Sequence, residues 1–565
     1  VPTTLRTLLI PAPMTVPATP KKDATTVAVT AASAVAITWV SESPSRDGGC
    51  AGAGPGSERT LVGAVMADPV NGVRKRFRKL RSRLAKDSHL PRTARRAIGS
   101  GYPKQKGIAV AEHFDYVIVG AGSAGCVLAN RLSADPSLRV ALVEAGPRDR
   151  HPNIKLPPAF PKLFHTRYDW DLSTVSQPEL KARELYWPRG RVLGGSSSLN
   201  AQMWVRGAAA DYDEWGSTNP GWSYGDVLPY FQRAENRIGS NEGDVYGTGG
   251  PLYIEELRDP NPLRAAFFAA CAEAGMTPLP ELNVPQIEGF APTPVTQHRG
   301  RRWSAADGYL RPAAKRPNLT LFVQTLTRRI IVRNGRAVGV ELLRRGGGGQ
   351  SIFAEREVML CAGAVHSPHL LQLSGIGDPG VLEAAGVTTL VSLPGVGKGL
   401  RDHLSVPVIK FTREGGTLVS ADRPAEIAKY LLLRRGMLTS NVGEAVAFGR
   451  SGDDQPCPDL EYIFAPGPFI NHGLDEPPGH GITIGVVLLR PESTGTITIR
   501  SGDPSVPPVI DAGYLTGASD LPRMVYGVQQ SLRLFETEAL RPVVSTPMMP
   551  GPDETDLGEY IRTNA

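Results

Sequence analysis

One stretch constrains this chain more than any other: FDYVIVGAGSAGCVLANRLSADPSLRVALVEAG, residues 114–146. It opens on a short apolar run, YVIVG, of the kind that forms a buried strand. G-x-G-x-x-G follows at Gly120, Gly122 and Gly125, and then a helical pattern with Val127, Leu128 and Leu132 spaced for its buried side. A second run, RVALVEAG, ends in Glu144, nineteen residues after Gly125. Strand, glycine turn, helix, strand and acid in this order predict a βαβ dinucleotide-binding unit. Gly120 allows the tight turn, Gly122 lets the backbone approach a pyrophosphate, and Gly125 lets helix and strand pack closely. The helix start offers unpaired N–H groups and a positive dipole end to phosphates. A carboxylate at Glu144 can hydrogen-bond both hydroxyls of an adenosine ribose and repels a 2′-phosphate, which disfavours NADP. The unit alone does not separate FAD from NAD.

The charge is unevenly distributed. The chain of 565 residues has a net charge of +7, but eleven Lys/Arg and a single acid lie between Arg74 and Arg96. Residues 1–112 carry about +11 and residues 113–565 about −4, so the high pI belongs to an N-terminal arm. It says nothing about an acidic substrate for the body. The arm has the composition of a non-core segment, and a disordered, basic arm is expected over 1–112. Its most apolar stretch, VAVTAASAVAITWV, is too short and too polar for a membrane span, and no basic start and cleavage site frame it for export. In VRKRFRKLRSRLAKDSHL, Val73, Phe77, Leu80 and Leu84 fall at helical spacing among cations. That pattern suits membrane association or organelle targeting through the arm, and no nucleic-acid partner is expected. Residues 1–65, upstream of Met66, read as an extension outside the working protein. The five cysteines (Cys50, Cys126, Cys271, Cys361 and Cys457) show no paired spacing, so neither a disulfide framework nor a metal site is expected.

The stretch PRGRVLGGSSSLNAQMWVRGAAADYDEW, residues 188–215, offers glycines, serines and an asparagine in a loop suited to lie against a flat ring. GAVHSPHLLQLSGIG, residues 363–377, follows the apolar run EVMLCAGA. LPGVGKGLRDH and LRPESTGTITIRSGDP come later. Together these motifs strongly resemble the glucose–methanol–choline (GMC) oxidoreductase family over about 113–565, with choline-dehydrogenase-like features. The resemblance implies FAD. It implies that Ser123 and Ala124 sit by the pyrophosphate, that Glu144 holds the ribose, and that Val192 is a backbone contact. Ser196 and the run Asn200, Ala201, Gln202, Met203 would lie along the flavin, and Thr327 at the adenine. It also implies an α/β fold: a Rossmann-like FAD-binding domain with a parallel sheet (113–403) and a substrate domain with an antiparallel sheet carrying helices (404–565). RRGGGGQ, residues 344–350, is then a hairpin loop between two strands.

The implied activity is oxidation of the CH–OH group of a small-molecule alcohol by hydride transfer to flavin N5, with the electron acceptor open. The family's base is a histidine in an H-P/S-x-G-T segment, paired with a later Asn or His. No such segment occurs here, and none of the ten histidines is expected to be the base. The pair is expected beyond Ala565, since EYIR in relatives leads into it; the chain therefore reads as C-terminally truncated, with apolar surface left exposed. A flavin-binding fragment without turnover is the alternative. The fatty acid photodecarboxylases are another branch of the family, but the positions of their Cys and Arg align with Gly443 and Ile463. LTSNVGEAVAF, residues 438–448, resembles choline-dehydrogenase-like members. Glu444 either faces the substrate, favouring a cationic or hydroxyl-rich one, or is a structural carboxylate. Phe464 and Phe469 read as core packing before aromatic wall.

Overall fold

The structure, a computed structural model, describes residues 112–344 and 348–565. The expectations for the arm, and the tip of the 344–350 loop, lie outside the described residues.

The strands that frame the fold are, in chain order, β1 (Glu112–Val119), β2 (Val140–Glu144), β3 (Gly289–Pro292), β4 (Leu319–Val323), β5 (Thr325–Arg333), β6 (Arg336–Arg344), β7 (Gly349–Leu360), β8 (Ser405–Thr412), β9 (Ala445–Gly449), β10 (Leu460–Ala465), β11 (Gly481–Leu488) and β12 (Val544–Met549). The helices that matter here are α1 (Ser123–Leu132), α2 (Leu263–Glu273), α3 (Gly363–Leu373), α4 (Pro424–Leu433), α5 (Asp520–Phe535) and α6 (Leu557–Asn564).

Two six-stranded sheets result. The first has the order β4-β2-β1-β7-β6-β5, in which β4, β2, β1 and β7 are parallel and the β5–β6–β7 run is antiparallel. The run EVMLCAGA supplies the end of β7 beside β1, with Val119 paired to Leu360. Both glycine motifs therefore leave the same edge of the sheet, as connections from parallel strands must. The second sheet, β12-β8-β11-β10-β9-β3, is antiparallel throughout. Its edge strand β3 comes from within residues 113–403, so the chain crosses between the sheets and a division at 403/404 does not separate them.

β10 and β11 are buried along their whole length. That is why LEYIFA and GITIGVVL read as nearly continuous apolar runs rather than alternating ones. One face of this sheet packs on α2 and α5 through Phe267, Phe464, Ile484, Val486, Val528 and Phe535. Phe464 stacks on Phe267 with ring centroids 4.9 Å apart, so it is core. The buried positions of α5, Met524, Gly527, Val528, Ser531, Leu534 and Phe535, follow the helical period. α6 completes this layer. The Asp556 carboxylate caps it by accepting the Glu559 N–H at 3.0 Å, the Tyr560 hydroxyl donates to Pro407 O at 2.5 Å, and Ile561 and Ala565 are fully buried. Among the described residues, exposed large apolar side chains do not gather at Ala565; they peak at Leu431, Leu432 and Leu433.

Candidate active site

The first glycine turn is built by close backbone approach. Gly120 has φ +98°, and a Cβ there would stand 2.4 Å from Cys361 O; a Cβ on Gly125 would stand 1.8 Å from Gly120 O. Gly122 has open space, its would-be Cβ meeting only Gly195 Cα at 3.9 Å. A Cβ on Gly195 would fall 2.7 Å from Gly122 Cα, so the two glycine loops are packed backbone against backbone. Ser123 and Ala124 open α1 above this junction. Its first turn holds no acidic residue, which leaves the positive end of the helix uncompensated for an anion.

Glu144 ends β2 in full burial. Its carboxylate accepts the Ala121 N–H at 3.0 Å and the Gly146 N–H at 2.8 Å. Burial pushes its pKa up to about 7, against the pull of those two donors and of the Arg191 charge. A carboxylate so placed gains from further donors, and ribose hydroxyls are such donors. The hydroxyl of Thr327, on β5 near β2, is buried without a partner.

The second loop carries Val192, fully buried, and Ser196, whose hydroxyl accepts the Gly190 N–H at 3.1 Å. Asn200, Ala201, Gln202 and Met203 follow. Gln202 sits at φ +62°, donates through its amide to Pro157 O at 3.1 Å, and leaves its amide oxygen buried and unpaired. Its carbonyl accepts from Thr296, and Met203 bridges to Val295 beside β3. Trp204 and Arg206 then lock the exit of the loop onto Glu235: the indole donates at 2.7 Å, and the buried guanidinium at 3.1 and 2.5 Å.

Sequence reasoning missed the residue that holds this loop. Arg302, 1% exposed, donates to Ile154 O at 2.9 Å, Ser197 O at 3.1 Å, Asn200 Oδ1 at 2.7 Å and Asn200 O at 2.6 Å. Among the described residues no carboxylate forms an ion pair with it, and burial lowers its pKa to about 9 against the pull of the Asp307 charge. Nothing local in RRWSAADGYL distinguishes it from its exposed neighbour Arg301. Its neighbour in space, Lys155, binds both oxygens of Asp307 at 2.8 and 2.6 Å. Replacing Arg302 with methionine removes the donor from Ile154 O, Ser197 O and both oxygens of Asn200, of which Asn200 Oδ1 keeps the Gln202 N–H; an acceptor left unsatisfied in the interior costs about 1–3 kcal/mol. We expect FAD affinity, measured by titration into apoprotein, to fall at least tenfold and the melting temperature to drop. Lysine should recover only part of the loss, because an ammonium cannot span the fork.

The wall opposite the loop comes from the second sheet. The amide of Asn441 donates to Ala201 O at 3.0 Å and leaves its Oδ1 buried and unpaired. Val442, a β-branched residue, sits at φ +78°, a strained conformation of the sort that concentrates at functional sites. A Cβ on Gly443 would meet Ile463 Cγ2 at 3.0 Å and Met203 Sδ at 3.2 Å. Gly443, Ile463 and Met203 thus converge, and the two positions aligned with a photodecarboxylase Cys and Arg are neighbours holding no reactive group. Glu444, by contrast, is fully buried and already bonded: its oxygens accept the Asn261 N–H and the Ser440 hydroxyl, both at 2.6 Å.

Several of the described histidines are packed against aromatic rings or weakened as bases by burial. His366 stacks on Trp170 at 4.0 Å, and burial, with the His369 charge and those of Arg189 and Arg191, drives its pKa down to about 3. Burial lowers His369 to about 4 and also lowers His403. His472 packs against Tyr186 and Phe164, and His480 meets Thr417 Oγ1 at 2.7 Å. Groups so far below neutrality are weak bases.

A parallel sheet with a glycine turn, a buried acid on its second strand and a second glycine loop facing an antiparallel sheet defines a flavin-type oxidoreductase. Comparison with known proteins makes this specific. The N-terminal GMC oxidoreductase family model matches residues 114–405 and the C-terminal one residues 491–565. An uncharacterised GMC-type oxidoreductase of Mycobacterium tuberculosis is 48% identical over 451 residues, 79% of this chain and 85% of that protein. An oxygen-dependent choline dehydrogenase of Brucella anthropi is 41% identical over 77% of this chain and 80% of its own. Among solved structures, pyridoxine 4-oxidase from Mesorbium loti superposes with a TM-score of 0.72 at 31% identity, covering 80% of this chain and 86% of that one. A formate oxidase variant of Aspergillus oryzae RIB40 gives 0.74 at 27% identity, with coverage of 80% and 86%. The chain belongs to the GMC oxidoreductase family, and it is an FAD-dependent oxidoreductase. The orphaned polar atoms of Thr327, Gln202 and Asn441, the open space at Gly122 and the donor-seeking Glu144 fit that cofactor.

Proposed function

We propose that the protein oxidises an uncharged primary or secondary alcohol to its carbonyl. FAD, when bound, would accept the carbon hydrogen as hydride, and the hydroxyl proton would leave to solvent. The α1 N-terminus and Glu144 would hold the diphosphate and the ribose of its adenosine portion, and the Asn200–Met203 loop, held by Arg302 and Asn441, would lie along the ring. The observation that carries the substrate class is the apolar wall of Met203, Gly443 and Ile463 beside a Glu444 whose two oxygens are already bonded. Such a wall excludes water and favours a neutral CH–OH group. A quaternary ammonium such as choline, on which the Brucella relative is named to act, is held by aromatic faces or an accessible carboxylate, and the Met203–Gly443–Ile463 wall offers neither: it is aliphatic, and Glu444 beside it is fully buried.

The test is anaerobic mixing of the FAD-loaded protein with a panel of aliphatic alcohols, aromatic alcohols and choline. Bleaching of the oxidised flavin by uncharged alcohols, with choline at least tenfold slower, is expected. If dithionite bleaches the flavin and no alcohol does, the reading fails and a flavin-binding protein without turnover takes its place.

A further inference from the structure

α4 ends in PAEIAKYLLLRR, and its three consecutive leucines face outward: Leu431, Leu432 and Leu433 are 63%, 81% and 62% exposed. Successive helical residues point 100° apart, so the three cover the whole tip of the helix rather than one stripe. The tip is anchored at both sides. Tyr430, just before it, is buried, and the Arg434 guanidinium sits 4.8 Å above the Tyr430 ring. Arg434 adopts φ +55° and donates its N–H to Tyr430 O, which closes the helix. A single exposed leucine needs no explanation, but a run of three on an ordered element does.

The surroundings are cationic. Lys429, Arg434 and Arg435 flank the leucines, and the 299–301 turn packs on Arg434, since a Cβ on Gly300 would stand 2.9 Å from Arg434 O and 3.4 Å from Arg258 Cδ. That brings Arg258, Arg299 and Arg301 to the same rim. Ile238, 44% exposed, shares an open cleft with Arg258 and Arg299. Four acids share the rim: Glu255 and Glu426 keep their charge while accepting backbone N–H groups, and Asp259 takes Arg435, so the cationic excess is Lys429, Arg434, Arg258, Arg299 and Arg301, which have no ion pair among the described residues. Glu255 accepts the Arg299 N–H and meets His298, Glu256 pairs with Arg237, Asp259 pairs with Arg435, and Glu426 accepts the Met437 N–H. Exposed leucines edged by arginines, on a body that is otherwise net negative, match one surface chemistry: an apolar interior beneath anionic headgroups. Among the described residues no helix is long and apolar enough to cross a membrane, so contact here is peripheral.

We propose that the Leu431–Leu433 tip of α4 and its arginine rim dock this protein on an anionic lipid bilayer. The docked segment is continuous with the candidate active site. A few residues on, Thr439 O accepts the Gln297 amide and Asn441 donates to Ala201 O. Docking therefore holds the substrate wall beside the bilayer surface, independently of the basic arm and of which alcohol is oxidised.

The test uses the full chain carrying Cys50→Ser and Leu432→Cys, labelled at the new thiol with a polarity-sensitive fluorophore. With vesicles of phosphatidylcholine and phosphatidylglycerol, a blue shift and a several-fold rise in emission are expected, at least tenfold weaker with phosphatidylcholine alone. Independently, Leu431→Ser/Leu432→Ser/Leu433→Ser should reduce co-sedimentation with the mixed vesicles at least tenfold at an unchanged melting temperature. Co-sedimentation with no change at the probe would assign binding to the arm and overturn the proposal. A probe response that grows with protein concentration without vesicles would assign the tip to a second copy and overturn it equally. So would the absence of any binding.

Discussion

Gly125→Ala should give a protein that purifies without FAD and melts well below the parent. The position has ordinary helical backbone geometry, so the obstacle is space rather than conformation. A methyl group there would lie 1.8 Å from Gly120 O, which is backbone and cannot rotate away. Gly120 cannot yield either, because it is pressed against Cys361 O at the end of β7. α1 would have to lift off β1, moving its N-terminus from the pyrophosphate path. Overpacking against fixed backbone costs about 1–3 kcal/mol or more. Gly122→Ala is the control. Its methyl meets only Gly195 Cα at 3.9 Å, so the apoprotein should melt like the parent while FAD affinity falls, since the methyl occupies the close approach to the phosphates. Flavin-to-protein ratios and apoprotein melts distinguish the two. Stoichiometric FAD and parental stability in Gly125→Ala would remove the dinucleotide reading of the turn.

Glu461→Gln should stabilise the protein in alkali. Glu461 lies on β10 between Phe448 and Val487, fully buried, and neither carboxyl oxygen has a partner. It shares its sheet face with Ile463, among the apolar side chains of Val446, Phe448 and Val487. Burial alone pushes its pKa up to about 8. An acid whose folded pKa is raised is favourable to folding below its unfolded value near 4.5, and stability is lost as pH climbs from there through the folded pKa. At 1.36 kcal/mol per unit, the loss by pH 9 is on the order of 4–5 kcal/mol at most. The glutamine variant does not titrate. Its melting temperature should match the parent near pH 5 and exceed it increasingly toward pH 9. Glu144 adds a smaller loss of the same sign up to about pH 7 in the apoprotein. FAD should suppress that part, because ribose hydroxyls stabilise the charged carboxylate, and should leave the Glu461 part in place. Parallel melting curves for parent and variant across pH 5–9 would show that Glu461 has a charge partner.

The legible parts of this protein were those whose physics is local. The turn at Gly120, Gly122 and Gly125, the acid at the end of β2 and the serine-glycine loop at 194–198 all depend on neighbours within a few residues or on a backbone that only glycine permits. The strand from EVMLCAGA could be read as a strand, but not its place beside β1. Glu444 shows the limit. Its spacing in LTSNVGEAVAF left a ligand role and a structural role equally open, and the choice rested on the Asn261 N–H, 183 residues away.

What the sequence by itself determined is a dinucleotide-binding unit, because glycine turns, helix starts and acid spacings are short-range requirements that survive in one dimension; FAD and the family followed from the resemblance of its longer motifs. What only the tertiary structure decided is which charged side chains are buried and with whom. Arg301 and Arg302 are adjacent and chemically identical, yet one meets solvent and the other holds the flavin loop through four acceptors drawn from two separate segments. Glu461 and Glu444 are both buried on the second sheet's strands or their approach, yet one is bonded and the other is not. Desolvation and hydrogen-bond satisfaction depend on what long-range packing brings near, and no local pattern encodes that.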